Sequence, residues 1–285
     1  MNAVVQGVLL GGLYALFACG LSLMFGVMRI VNLAHGDLAV VAAFLASTAM
    51  TTLHVDVTVA AVVVVPAFAV LGYLLQRGLL QRSLTAGPFA TLLVTFGLSV
   101  VIQNLLLETY SADSRSLGTG GFGSASLHVT GQISVAYLSL LTFGLAAVVL
   151  VAMQVFLSRT GLGRIMRATS DDPEAARLVG ADGRHVYGIA TAIAFATVAL
   201  AGLLFAMRSS FDPSTGPTRL IFAFEAVVIG GLGSLWGTFV GGIVLGVAQT
   251  VGAQIDPALT LLAGHLLFLA VLAFRPRGLI PARST

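Results

Sequence analysis

The chain has 285 residues, of which 58% are hydrophobic and only 9% charged, with a formal net charge of +3 and a mean hydropathy of +1.02. This balance excludes a soluble globular domain and points to an all-α fold, a polytopic transmembrane helical bundle. All 14 basic residues are arginine; without lysine there is no GxxxxGK phosphate loop and no Schiff-base lysine, so ATP that drives this chain must be hydrolysed elsewhere.

A hydrocarbon core about 30 Å thick takes roughly 20 apolar residues per helix. On that measure spans fall at 5–28, 37–53, 57–76, 89–109, 136–157 and 186–207, followed by a glycine-broken region at 221–255 and a last span at 259–275. This makes about eight spans in one transmembrane domain over residues 1–285. The first stretch, Gly7 to Gly26, has no basic residue before it and Arg29 after it, the pattern of a retained span rather than a cleaved signal peptide. Cys19, the single cysteine, lies inside it and reads as a small buried hydrophobe.

Between the first two spans stands "VNLAHGDLAVV" (31–41), with His35 and Asp37 set among apolar residues. The expectation is a tight inner hairpin near the membrane surface, bent at Gly36, with Asp37 capping the next helix. A border position at a gate is the alternative for both residues. In the fourth span Gln103 and Asn104 follow "TFG" (95–97); they either bond between helices or meet the cargo.

The arginines sort by side. Arg29, Arg77, Arg82, five between Arg159 and Arg184, and Arg275, Arg277 and Arg283 fall on one face, against Arg115, Arg208 and Arg219 on the other. The richer face is cytoplasmic by the positive-inside rule, which puts the N-terminus outside and the C-terminus inside. Spread over loops, the arginines are an orientation signal and no nucleic-acid patch. With Leu220 and Asp256 then both external, 221–255 must enter and return, turning near "GGLGSLWG" (230–237), unless it is one continuous helix and another side is misassigned. Glycines at four-residue spacing, Gly7 and Gly11, Gly233, Gly237 and Gly241, Gly242 and Gly246, serve close helix packing within the chain or between subunits.

The cytoplasmic loop 158–187 holds a short punctuated helix: Asp171 as cap, Pro173 in the first turn, Glu174 three residues after Asp171 and Gly180 as the stop. Two turns of helix need an external support. Glu225 in "LIFAFEAVVIGG" (220–231) is costly at a bilayer centre, by roughly 2.5–3.5 kcal/mol, and either lines a pathway or has an interfacial or ion-paired role near the outer end. His265 on the last apolar span is either a hydrogen-bonded interior histidine or a functional one. No metal-ligand cluster and no paired catalytic carboxylates are present in the pattern; the enzyme alternative is a serine-protease dyad of Ser99 and His265.

Five segments in order, "GLSLMFGVMRIVNLAHGDL" (20–38), "LLVTFGLSVVIQN" (92–104), "GRIMRATSDDPEAARLVGAD" (163–182), "AVVIGGLGSLWGTFVGG" (226–242) and "FRPRGLI" (274–280), resemble the signatures of the branched-chain amino-acid ABC-transporter permease family, LivH type. The resemblance implies a bacterial inner-membrane subunit that works with a second related permease, two cytoplasmic ATPases that bind ATP and Mg, and an external substrate-binding protein, with no cofactor of its own. It also implies that Asp171, Glu174, Ala175, Ala176, Arg177 and Gly180 form the helix that couples to the ATPases. The cargo expected is a branched-chain or other small hydrophobic amino acid. Urea, short amides or aromatic carboxylates are the alternatives within the family, and an ion-coupled carrier or channel acting alone is the alternative outside it.

Overall fold

A computed structural model describes residues 2–118, 126–130 and 133–280; Arg283 lies outside them. In chain order the elements are α1 (Asn2–Met28), α2 (His35–Leu53), α3 (Val57–Leu75), a π-helical turn at Gln76–Leu80, α4 (Gln81–Ala86) and α5 (Pro88–Tyr110). A hairpin of β1 (Ser126–Thr130) and β2 (Ile133–Ala136) leads to α6 (Tyr137–Arg159), α7 (Gly161–Asp171), α8 (Pro173–Leu178), α9 (Gly183–Arg208), α10 (Gly216–Gly230), α11 (Leu235–Ile255) and α12 (Leu259–Phe274). Among the described residues seven helices are long and apolar enough to cross a membrane: α1, α2, α3 continued through α4, α5, α6, α9 and α11. α10 and α12, with 15 and 16 residues, fall short of the roughly 20 a span takes.

α1 is the axis. From Gly11 to Met24 every one of its side chains is buried, enclosed by α11, α9, α6 and α10. The peripheral helices are built the other way: α3 buries only Ala60, Val64, Phe68 and Gly72 and turns its valines outward, as a lipid-facing helix requires. The glycine faces serve the axis. Gly7 and Gly11 lie directly on the backbones of Gly246, Val247, Gly242 and Ile243, so α1 and α11 run antiparallel in close contact within one chain. Gly230 meets Gly237, and Gly241 meets Ala226.

Those last pairings settle the broken region. α10 and α11 lie side by side and antiparallel, joined by a turn in which Gly231 and Gly233 hold φ of 118° and 79°, values that favour glycine. Ser234 then caps α11 by accepting from the Gly237 amide at 3.1 Å. A continuous helix over 221–255 is excluded. The chain ahead of residue 281 clasps this turn: the amides of Leu279 and Ile280 donate to the carbonyls of Ile229 and Gly230 at 2.8 and 2.9 Å. "FRPRGLI" therefore ties off the α10 end.

The hairpin around HGD differs from expectation. The His35 imidazole reaches the Phe17 carbonyl at 3.0 Å, and Phe17 stands eleven residues before the end of α1, about 16 Å up the helix at 1.5 Å per residue. Residues 29–34 thus climb back into the bundle, and α2 starts well inside it rather than at its inner edge. The N-cap of α2 is Ala34 with no side-chain cap bond, so Asp37 does not cap this helix. It is engaged elsewhere. α10 also begins inside: Gly36 abuts the backbone of Gly216 and Leu220, and Gly216 abuts Asp37. The bend glycine predicted for a surface turn is a contact point between two helix starts.

Candidate functional site

Two polar clusters occupy the interior of the bundle, and one helical projection stands outside it. The first cluster sits where α2 and α10 begin. His35 and Asp37 are buried to 0% and 1% exposure. A carbonyl only accepts, so His35 Nε2 carries the proton in its bond to Phe17, which leaves Nδ1 without a partner. Asp37 Oδ2 accepts from the Ser99 hydroxyl of α5 at 2.5 Å, and Gln103 donates to Ser99 at 3.1 Å. The carboxylate that was expected to cap its own helix instead holds α5 against α2. Gln103 joins this chain of bonds. Asn104 does not: its amide donates to the Val100 carbonyl of its own helix at 2.8 Å and stays exposed.

The second cluster unites Glu225 and His265. His265 Nδ1 and Glu225 Oε1 are joined by a hydrogen bond across α12 and α10, with Glu225 only 3% exposed. Glu225 is therefore buried within the chain, with His265 as its partner. With Ser99 bonded to Asp37 and His265 to Glu225, the two members of the dyad considered above are tied to different carboxylates. Around Glu225 lie residues that the sequence did not single out. Tyr14 of α1 donates to Gln249 Oε1 of α11 at 2.5 Å, and its ring packs on Phe222 at 5.2 Å. Arg219 places its guanidinium 4.0 Å over the Phe205 ring. Arg208, Arg219 and Glu225 all lie near enough to Tyr14 to act on its hydroxyl electrostatically. Both arginines had been counted only as outer-loop charges. Among the described residues no group of three or more His, Cys, Asp or Glu could hold a metal ion.

The projection is the loop between α6 and α9. α7, which the sequence reading left as loop, is capped by Thr160, whose hydroxyl accepts from the Gly163 amide at 3.0 Å. It is braced on the bundle: Met166 and Thr169 are buried, and Ser170 donates to the Gly26 carbonyl at 2.5 Å. α8 follows with a different cap from the one expected. Asp172, not Asp171, accepts from the amides of Glu174 and Ala175 at 2.9 and 3.0 Å, while Asp171 is the last residue of α7. Pro173 occupies the first helical position, and the cap must be the residue immediately before it. Gly180, at φ +90°, ends the helix as expected, with the Ala181 amide donating to the Ala176 carbonyl at 3.0 Å. Ala176 faces inward and is buried, whereas Ala175 is exposed, so the two alanines do not share one outer face. The apolar tip of α8 is instead Leu178 and Val179, 89% and 85% exposed.

The comparisons with known proteins agree across the chain. A family profile described as the permease component of branched-chain amino acid transport systems matches residues 3–273. The chain is 30% identical to the high-affinity branched-chain amino acid transport system permease protein BraD of Pseudomonas aeruginosa, over 98% of this chain and 95% of that protein. It is 25% identical to the LivH permease protein of Escherichia coli K12, over the same shares of each. It also resembles the LivM permease protein of Escherichia coli K12, 33% identical over 48% of this chain and 33% of that one. No solved structure matches. A bundle axis of apposed glycines, a helix broken at "GGLGS" and a capped outward helix at "PEAARLVG" recur here as the physical content of those segments, and the chain is a multi-pass membrane protein that belongs to the branched-chain amino-acid ABC-transporter permease family.

Proposed function

We propose that this chain is the membrane subunit through which a binding-protein-dependent importer passes branched-chain or other small hydrophobic amino acids, in a bacterial inner membrane, with ATP and Mg held by separate ATPase subunits. The observation that carries the reading is α8. A helix of 6 residues is unstable by itself in water, yet this one is capped at both ends, seated on the bundle by Ala176 and offers Leu178 and Val179 to solvent. An apolar pair on a rigid mount is what a partner surface requires. The end of the bundle that bears α7 and α8 is then cytoplasmic, the N-terminus is outside, and Glu174, Ala175 and Arg177 border the contact. A second permease related to LivM completes the membrane part, and an external binding protein delivers cargo.

The test is co-purification. The wild-type chain expressed with its partner permease should retain two ATPase subunits through detergent extraction. Leu178→Asp with Val179→Asp should lose them while membrane insertion is unchanged; retention by that double variant would refute the contact. Replacing Glu174 and Gly180 together should abolish ATP-driven uptake, since any other residue at Gly180 must adopt a left-handed backbone that costs about 1–2 kcal/mol.

A further inference from the structure

The second interior cluster has a chemical pattern that its internal bonds leave unfinished. At one side stand donors without acceptors: Arg208 Nη1, Arg219 Nε and Gln249 Nε2 are each buried and unpartnered, and Gln249 is only 1% exposed. Among the described residues neither arginine has a carboxylate partner, and Glu225 bonds His265 instead. The acid in the loop between them, Asp212, spends its Oδ1 on the amide and hydroxyl of Ser214. At the other side stands an acceptor without a donor, Glu225 Oε2. Aromatic rings lie between, Phe222 against Tyr14 and Phe205 under Arg219. Leaving four such atoms unmatched inside a bundle is costly, and they are matched in kind by one class of molecule.

We infer that this cluster is a binding site for an α-amino-acid zwitterion with an apolar side chain, a station for cargo inside the permease. This rests on the transport reading above and adds the residues that would hold the substrate. Arg208, Arg219 and Gln249 take the carboxylate, Glu225 Oε2 takes the ammonium, and Phe205 and Phe222 bound the side chain. Arg219 and Glu225 lie six residues apart on α10, about 9 Å along its axis. His265 keeps Glu225 Oε1 engaged, so the free oxygen is held in one orientation.

The experiment uses the complete transporter in nanodiscs without its binding protein and measures saturable binding of tritiated leucine. Two unlabelled competitors report the two ends: leucinamide lacks the carboxylate charge and 4-methyl-2-oxopentanoate lacks the ammonium. Wild type should prefer leucine to either by at least tenfold. Arg219→Gln should erase the preference over leucinamide alone, and Glu225→Gln the preference over the oxo acid alone, whereas a purely structural loss would lower all three ligands together. Arg219→Lys should restore part of the first preference. Absence of any preference in wild type, or wild-type preferences in both variants, would overturn the site, and the wild-type competition decides the matter if a variant does not assemble. Failure of the transport reading has a different signature, the absence of ATP-driven leucine uptake by the wild-type transporter.

Discussion

At the residue scale the interior polar groups divide into bonded pairs and buried atoms that have no partner within the chain. The bond from Ser99 to Asp37 is the clearest matched case. Ser99→Ala should leave a buried carboxylate without its donor and cost about 1–3 kcal/mol, read as a lower midpoint in thermal unfolding of the detergent-solubilised chain; Ser99→Thr, which keeps the hydroxyl, should retain most of the stability. An unchanged midpoint in the alanine variant would contradict the bond. The pair of Glu225 and His265 makes a second prediction. His265→Leu alone strips a buried carboxylate of its partner, whereas Glu225→Gln with His265→Leu removes the carboxylate as well, so the double variant should be more stable than the sum of the single effects by about 1 kcal/mol or more. Additivity would contradict the pairing. Sequence pattern could mark His35, Asp37 and Glu225 as costly but not locate them. A polar residue in an apolar run has the same signature at the interface as in the middle, and the depth of His35 is set by its contact with a carbonyl eighteen positions away.

At the element scale the glycines decide how near helices approach. A methyl group at Gly11 would collide with the backbone of Ile243, where nothing flexible can give way. Gly11→Ala should therefore destabilise the chain by about 1–3 kcal/mol, while Gly144→Ala on α6, where nothing lies within 4 Å of the added carbon, should be neutral or slightly stabilising. Thermal midpoints of the two variants check this, and equal effects would contradict the apposition of α1 and α11. The turn of the broken helix was legible because "GGLGS" supplies both glycines with positive φ and the capping serine. The beginning of α10 was not: Gly216 and Pro217 lie beyond the apolar run, and the helix starts there, ahead of Leu220, where Gly216 packs on Asp37. For α8 the cap could have been placed from sequence, since a proline at the first helical position names the residue before it. α7 escaped because its amphipathic face closes against α6, α9 and α1, elements distant in sequence or known only from the fold.

At the scale of the whole molecule, α1 binds the interior together while α3, α5 and α6 form an apolar periphery. Membership of the permease family was legible in five ordered segments, which hold among them the broken turn, the tail that clasps that turn and the capped outward helix. The cargo site was not legible, since Tyr14, Arg208, Arg219 and Gln249 come from four helices with no spacing in common. The central claim is that this chain conducts an amino acid only when ATPase subunits act on α8. Proteoliposomes containing the chain with its partner permease and both ATPases should accumulate tritiated leucine when ATP and the loaded binding protein are supplied, and the chain alone should not. Leucine uptake by the chain alone, unaffected by ATP, would contradict the account.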